Sequence, residues 1–258
     1  MSDLQVESAG GVLRLTINRE EKRNALSGDV LRGLLVATRA ITPDSDERVI
    51  VVGSVGDKVF CSGADLAVMT NDATGLEQHE GRGLLRDVVL AFRACPIPVV
   101  ARVQGLCLAG GVGLALGCDV VLASSAAQFG LPEVGLGLWP FMVSALLARN
   151  VSPKHAMHLM LSAERIDAAT AYQMGMVSKV LPADTFAGDV DEYVEKLAAA
   201  PPVAVRLGKA AWQTAEEAPL SPALEAMQAQ LSLLTTTKDA AEGVAAFFEK
   251  RPPKYTGR

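Results

Sequence analysis

Gly105-Leu106-Cys107-Leu108-Ala109-Gly110-Gly111-Val112-Gly113-Leu114-Ala115-Leu116-Gly117-Cys118-Asp119-Val120-Val121-Leu122-Ala123 is the stretch on which the fold turns. A β-branched run, Val99 to Val103, precedes it and reads as a strand. The glycine-rich turn then opens an apolar segment that reads as a buried helix ending near Gly117, and Asp119 to Ala123 reads as the next strand. Strand, helix and strand in such close succession indicate an α/β fold, with strands buried under crossover helices.

The same alternation extends in both directions. Toward the N-terminus, Val12 to Ile17 and Val49 to Gly53 read as strands. Between them, Ser27 caps a helix running to about Ile41, where Thr42-Pro43-Asp44 stops it. A further helix, near Leu84 to Ala94, ends at Cys95-Pro96-Ile97-Pro98, because a residue preceding proline is pushed out of the α region. Thr70 to Gly83 is polar, glycine-containing and aperiodic, and reads as a mobile surface loop near a site. Downstream, Ser152-Pro153 and Asp167-Ala168-Ala169 open two helices, the second closing at Gly175, and a strand follows from Met176 to Leu181. From Phe186 the pattern is helical, with breaks at Pro201-Pro202, Pro219 and Thr235 to Thr237. The expected division is a core over 1–195 and a C-terminal helical region over 196–258.

Half of the 258 residues are hydrophobic, enough for a substantial core. A net charge of −5, with Lys and Arg scattered, gives no basic footprint for nucleic acid or an anionic membrane surface. Apolar runs are broken well short of the ~20 residues of a membrane span. Met1-Ser2-Asp3-Leu4-Gln5 has no basic start or apolar run, so the expected location is cytoplasmic. Cys61, Cys95, Cys107 and Cys118 lack C-x-x-C spacing and read as small core residues. His155 and His158 lack an evident third ligand, and Ser124, Ser144 and Ser152 lack a nucleophile-elbow context, so neither metal nor serine chemistry is expected.

Three segments carry candidate chemistry. In Phe60-Cys61-Ser62-Gly63-Ala64-Asp65-Leu66, small residues let a ligand approach the backbone and the N–H of Ala64. The same residues would also make a tight turn into a helix, with Asp65 as a first-turn acid. In the glycine-rich stretch, unpaired N–H groups at a helix start can hold negative charge. A dinucleotide-binding turn competes there, because Gly111 and Gly113 are spaced G-x-G with Glu133 twenty residues on, but Leu116 stands where the third glycine belongs. In Gln128-Phe129-Gly130-Leu131-Pro132-Glu133-Val134-Gly135-Leu136-Gly137-Leu138-Trp139-Pro140, one carboxyl sits among apolar residues, where desolvation raises its pKa toward the range useful for proton transfer. A helix cap or an internal ion pair would use Glu133 equally well.

In order and spacing, these segments resemble the enoyl-CoA hydratase/isomerase (crotonase) family. So do Asn18-Arg19-Glu20-Glu21-Lys22-Arg23-Asn24-Ala25-Leu26, Leu161-Ser162-Ala163-Glu164-Arg165-Ile166, Ala171-Tyr172-Gln173-Met174-Gly175-Met176-Val177 and Glu242-Gly243-Val244-Ala245-Ala246-Phe247-Phe248-Glu249-Lys250-Arg251-Pro252. The resemblance implies a ββα spiral core with a helical appendage, a homotrimer or dimer of trimers, and an acyl-CoA thioester substrate with no separate cofactor. By the same resemblance, the N–H groups of Ala64 and Gly110 form an oxyanion hole and Glu133 is the proton-transfer base. Arg23, Ala25, Leu26, Ala64, Asp65, Leu66, Gly110 and Gly111 cradle the coenzyme, Trp139 and Phe141 flank the carboxyl, and Phe247 and Lys250 complete the pocket.

Two departures from the family pattern bear on the reaction. Water-adding members carry a second glutamate where this chain has Gly113, and glycines follow the proline where it has Phe141-Met142-Val143. Two carboxyls hold a water and share its protons, whereas one suffices to move a double bond. The expectation is therefore enoyl-CoA isomerisation. Hydration, as in fatty-acid β-oxidation, is the alternative, and a non-catalytic acyl-CoA binder is the second.

Overall fold

The computed structural model describes residues 2–65 and 74–258. The chain opens with a hairpin of β1 (Leu4–Ala9) and β2 (Val12–Ile17), turned by Gly10 and Gly11 at φ 58° and 77°. Two consecutive positive φ values match the twist that a two-residue hairpin requires. Helix α1 (Gly28–Arg39) starts where Ser27 accepts the N–H of Val30 at 3.2 Å.

From there the chain repeats one unit. β3 (Val49–Ser54), β4 (Val59–Cys61) and α2 (Gly75–Ala94) form the first turn. β5 (Val99–Val103), β6 (Leu106–Leu108) and α3 (Gly110–Leu116) form the second. β7 (Val120–Ser124) and β8 (Gln128–Gly130) lead through a 3-10 turn, Pro132–Leu136, into α4 (Phe141–Asn150) and α5 (Pro153–Ser162). β9 (Arg165–Asp167), α6 (Ala168–Gln173) and β10 (Lys179–Leu181) close the core.

The first strand of each unit joins a six-stranded sheet, β1-β2-β3-β5-β7-β10, in which only β1 is antiparallel. The second joins a four-stranded sheet, β4-β6-β8-β9, in which only β9 is antiparallel. This is the ββα spiral. All six residues of β3 are buried, as expected of a parallel strand covered on both faces.

The structure corrects the reading of Thr70 to Gly83. Residues 75–83 are the first turns of α2, started by a capping box in which Thr74 and Glu77 satisfy each other's backbone N–H. Gly75, Gly81 and Gly83 lower helix propensity enough to hide it from a periodicity argument. Residues 70–73 lie outside the described residues. The short strands β4, β6, β8 and β9, three residues each, also escape a periodicity reading.

Helix α7 (Phe186–Ala198) runs across the expected 195/196 division. Its Phe186, Val190 and Val194 pack on Val12, Val49, Val51, Val100 and Leu122 of the large sheet. The helices α8 (Pro202–Glu217), α9 (Leu220–Leu234) and α10 (Lys238–Glu249) follow, separated where prolines and threonines stand. Among the described residues, no helix is long and apolar enough to cross a membrane.

A polar clamp fixes α8 to the core. The Lys209 ammonium, 11% exposed, donates to Asp119 Oδ2 (2.6 Å), Phe92 O (2.8 Å) and Ile97 O (3.1 Å). Asp119 also accepts the N–H of Val99 (2.7 Å), yet burial still holds its carboxyl above the usual range. Removing the cation strands a desolvated acid and two carbonyls, so Lys209→Ala should cost about 3 kcal/mol in urea unfolding. A loss below about 0.5 kcal/mol, the range of a neutral surface change, would show that the clamp is solvated.

Candidate active site

Two backbone segments meet at the centre of the spiral. Leu26 and Ala64 form an isolated parallel bridge, in which Leu26 donates its N–H to Gly63 O (2.8 Å) and Asp65 donates to Leu26 O (3.1 Å). In that pattern the two bonds to Leu26 come from the residues flanking Ala64, so the N–H of Ala64 faces the opposite side. The bridge is held from behind. Arg23 and Asn24 adopt left-handed φ of 52° and 53°, a conformation Asn tolerates better than most residues. Asn24, fully buried, accepts the N–H of Arg19 (3.1 Å) and donates to Val55 O (3.0 Å) and Val59 O (2.8 Å). The Arg19 guanidinium reaches Asp3 (2.9 Å), Asp65 (2.9 Å) and Ala25 O (2.7 Å).

The facing segment is the start of α3. Ala109 donates its N–H to Gly130 O on β8 (3.0 Å) and takes φ 51°, ψ −125°, an uncommon conformation for a residue with a side chain. Its carbonyl accepts from Val112 (2.9 Å) and Gly113 (3.3 Å), which closes the first helical turn. The N–H groups of Gly110 and Gly111 precede that turn and have no intrahelical acceptor.

The approach is tight. A Cβ on Gly63, whose φ is 106°, would lie 2.7 Å from Ala109 Cβ and 3.4 Å from Gly110 N. One on Gly110 would lie 3.5 Å from Ala64 N. One on Gly111 would meet Cys61 O at 2.7 Å, so this glycine seats α3 against β4. The N–H groups of Ala64 and Gly110 are therefore neighbours.

Glu133 sits in the 3-10 turn, three residues beyond the Gly130 carbonyl that anchors Ala109. Its Oε2 is buried with no hydrogen-bond partner among the described residues, and desolvation pushes the carboxyl above its ordinary range. Half-buried Trp139 packs against the main core. Phe141 is 77% exposed at the head of α4. The apolar residue that turns inward is Val143, whose Cγ2 would lie 3.1 Å from a Cβ on Gly113.

The other candidate residues divide. Ala25 and Leu26 are buried beside the bridge, whereas the Arg23 side chain is exposed. The Asp65 carboxylate is engaged by Arg19 and its N–H by Leu26 O. Leu66 lies outside the described residues. Phe247 and Lys250 are exposed at the end of α10, and no hydrogen bond or ion pair among the described residues ties them to Ala64 or Gly110. The sequence reading gave no role to Arg19, Asn24, Gly63 or Ala109. The signal for Asn24 was an Asn placed in a turn next to a strand pair.

Among the described residues, no three His, Cys, Asp or Glu side chains gather as metal ligands. His158 pairs with Glu164 (3.2 Å) at the surface, and burial pushes the Cys61 thiol up to about 12, which keeps it unreactive.

A family model described as enoyl-CoA hydratase/isomerase matches residues 7–258. Crotonyl-CoA hydratase of Syntrophomonas wolfei is 35% identical over 245 residues, covering 95% of this chain and 94% of that relative. The 2,3-dehydroadipyl-CoA hydratase of Escherichia coli is 36% identical over 259 residues, the full length of both. A crystal structure of enoyl-CoA hydratase from Mycobacterium smegmatis superposes with a TM-score of 0.93 at 31% identity, over 98% of each chain.

The close approach makes Gly63→Ala a severe test, since the methyl meets Ala109 and the backbone is left-handed. It should lower stability by about 2 kcal/mol or more, read by denaturant unfolding. Adding Ala109→Gly should recover part of that loss by removing the clash. If the single and double variants are equally stable, the two segments are not in contact as described.

Proposed function

Because the chain belongs to the enoyl-CoA hydratase/isomerase family, we propose that it binds an enoyl-CoA thioester with its carbonyl oxygen between the N–H groups of Ala64 and Gly110, and that Glu133 moves the proton. Abstraction of a proton from C2 of a 3-enoyl-CoA breaks a C–H bond and delocalises the electron pair through the thioester onto oxygen. Each fixed N–H that meets this charge is worth about 3 kcal/mol in the transition state. The protonated Glu133 returns its proton to C4, and the double bond moves to C2–C3 with every atom accounted for. These steps use protein groups alone.

One observation carries this reading. Glu133 has a buried oxygen without a hydrogen-bond partner among the described residues, and the position one turn into α3 from Gly110 is a glycine, so a second acid is missing there. A poorly solvated carboxylate is a stronger base, and a lone base suits returning the proton it took. Hydration is the second reading, favoured by relatives that are named hydratases at 35 and 36% identity. It would require Glu133 to orient and deprotonate water unaided. A non-catalytic binder would hold acyl-CoA and turn over neither 2-enoyl- nor 3-enoyl-CoA.

We further propose that the appendage assembles copies of the chain as a trimer or dimer of trimers. Leu220, Leu224, Leu231, Leu233, Phe247 and Phe248 are all exposed on α9 and α10, apolar side chains that a neighbouring copy would cover. Sedimentation should give a species well above the 27.1 kDa of one chain. A lone monomer at micromolar concentration contradicts assembly.

Glu133→Gln keeps the shape and removes the base. Turnover of 3-enoyl-CoA should fall ~10²–10⁴-fold with acyl-CoA affinity nearly unchanged, and wild-type rates in the variant would make the carboxyl structural. The pH behaviour follows from the raised pKa. Between the ordinary carboxylate value of 4.5 and the raised one, the folded protein holds a proton that the unfolded chain has released. Stability therefore falls as pH rises through that window, and the deficit is complete above it. The rate should rise through the same window as the base ionises. Glu133→Gln should accordingly be more stable than wild type near neutral pH, in thermal melts that show no such gain below pH 4.

A further inference from the structure

Gly113 follows Gly110 by three residues in α3, so the two lie on one face of the helix. A side chain at 113 would point at α2 and α4: its Cβ would lie 3.1 Å from Val143 Cγ2 and 3.5 Å from Leu85 Cδ2. Val143 is 3% exposed and Leu85 7%. Among the described residues, the helix face that continues from Gly110 is thus covered by two aliphatic side chains, which offer neither a carboxyl nor a hydroxyl. Val143 stands ten residues after Glu133, on the helix that the Glu133 turn leads into.

We propose that Val143, braced by Leu85 across Gly113, decides the reaction specificity of this site by filling the volume from which an ordered water would attack the acyl chain. This rests on the single-base reading above. To add water, the site must hold the oxygen against carbon and give its hydrogens acceptors, and a buried water is kept only where two to four polar partners surround it. Glu133 is one partner, and an aliphatic wall adds none. Moving a proton from C2 to C4 through one carboxyl needs no water, so the wall leaves that path open and closes the other.

The test compares wild type, Val143→Thr and Val143→Ala on purified 2-enoyl- and 3-enoyl-CoA thioesters, reading the ratio of hydration to isomerisation. Val143→Thr keeps the volume and puts a hydroxyl in the wall, and should raise that ratio about tenfold or more. Val143→Ala opens room for water and should raise it as well. An unmoved ratio in both variants overturns the proposal.

A second arm does not depend on turnover. Gly113→Ala should lower the melting temperature in wild type and lower it less in the Val143→Ala background, whereas equal losses would mean that Val143 does not face Gly113 and would also overturn the proposal. The two failures are distinguishable. If wild type hydrates faster than it isomerises, the water path is open, and the single-base reading and the wall fall together. If wild type isomerises and the ratio stays fixed in the variants, the reading stands and the wall falls.

Discussion

The site depends on the close approach of two backbone segments, Gly63-Ala64 and Ala109-Gly110. A methyl on Gly63 would be 2.7 Å from the methyl of Ala109, so contact at this distance exists only because one partner has no side chain. The rest of the molecule enforces it. Parallel pairing of β4 with β6 and of β6 with β8 brings their C-terminal ends to one edge of the small sheet. The Leu26–Ala64 bridge ties one segment to the first strand-helix unit, and the Ala109–Gly130 bond ties the other to β8. Asn24 and Arg19 lock the bridge with bonds to four separate stretches of chain. Donors fixed by covalent backbone and buried hydrogen bonds need little reorganisation when charge forms, which is the physical basis of the role proposed for them.

Glu133 shows the opposite side of that economy. Its buried, unpartnered oxygen works against folding, because desolvation disfavours the charged form that the proposed chemistry uses. Lys209 and Asp119 make a useful contrast. There too an acid is desolvated, but an ammonium and a backbone N–H satisfy it, and the result is the docking of a helix. One acid is thus paired with an ammonium at the seat of α8, while the other keeps a carboxyl oxygen without a hydrogen-bond partner among the described residues.

Much of the fold was legible because burial on two faces forces long apolar strands, and β2 and β5 fall on the residues expected. Ser27 and Asp167 were legible as caps because their side chains bond the backbone three residues on. The small sheet was not, since three-residue strands carry no period, and the start of α2 was hidden by glycines that its capping box outweighs. Within the site, Glu133 stood out as a lone acid among apolar residues. The exposure of Phe141 and the inward turn of Val143 were not legible, because the phase of α4 about its axis is set by packing on α3.

The central claim is that Glu133 and the paired N–H groups of Ala64 and Gly110 labilise a proton next to a thioester carbonyl. A saturated acyl-CoA such as butyryl-CoA offers the most direct measurement, because it can be neither hydrated nor isomerised. Incubated with the protein in D2O and followed by proton NMR, it should exchange one of its two α-hydrogens stereospecifically, at a rate that rises with pH as the carboxyl ionises. Butyryl-CoA that is bound, as shown by a measured Kd, yet exchanges no faster than in buffer would contradict the account.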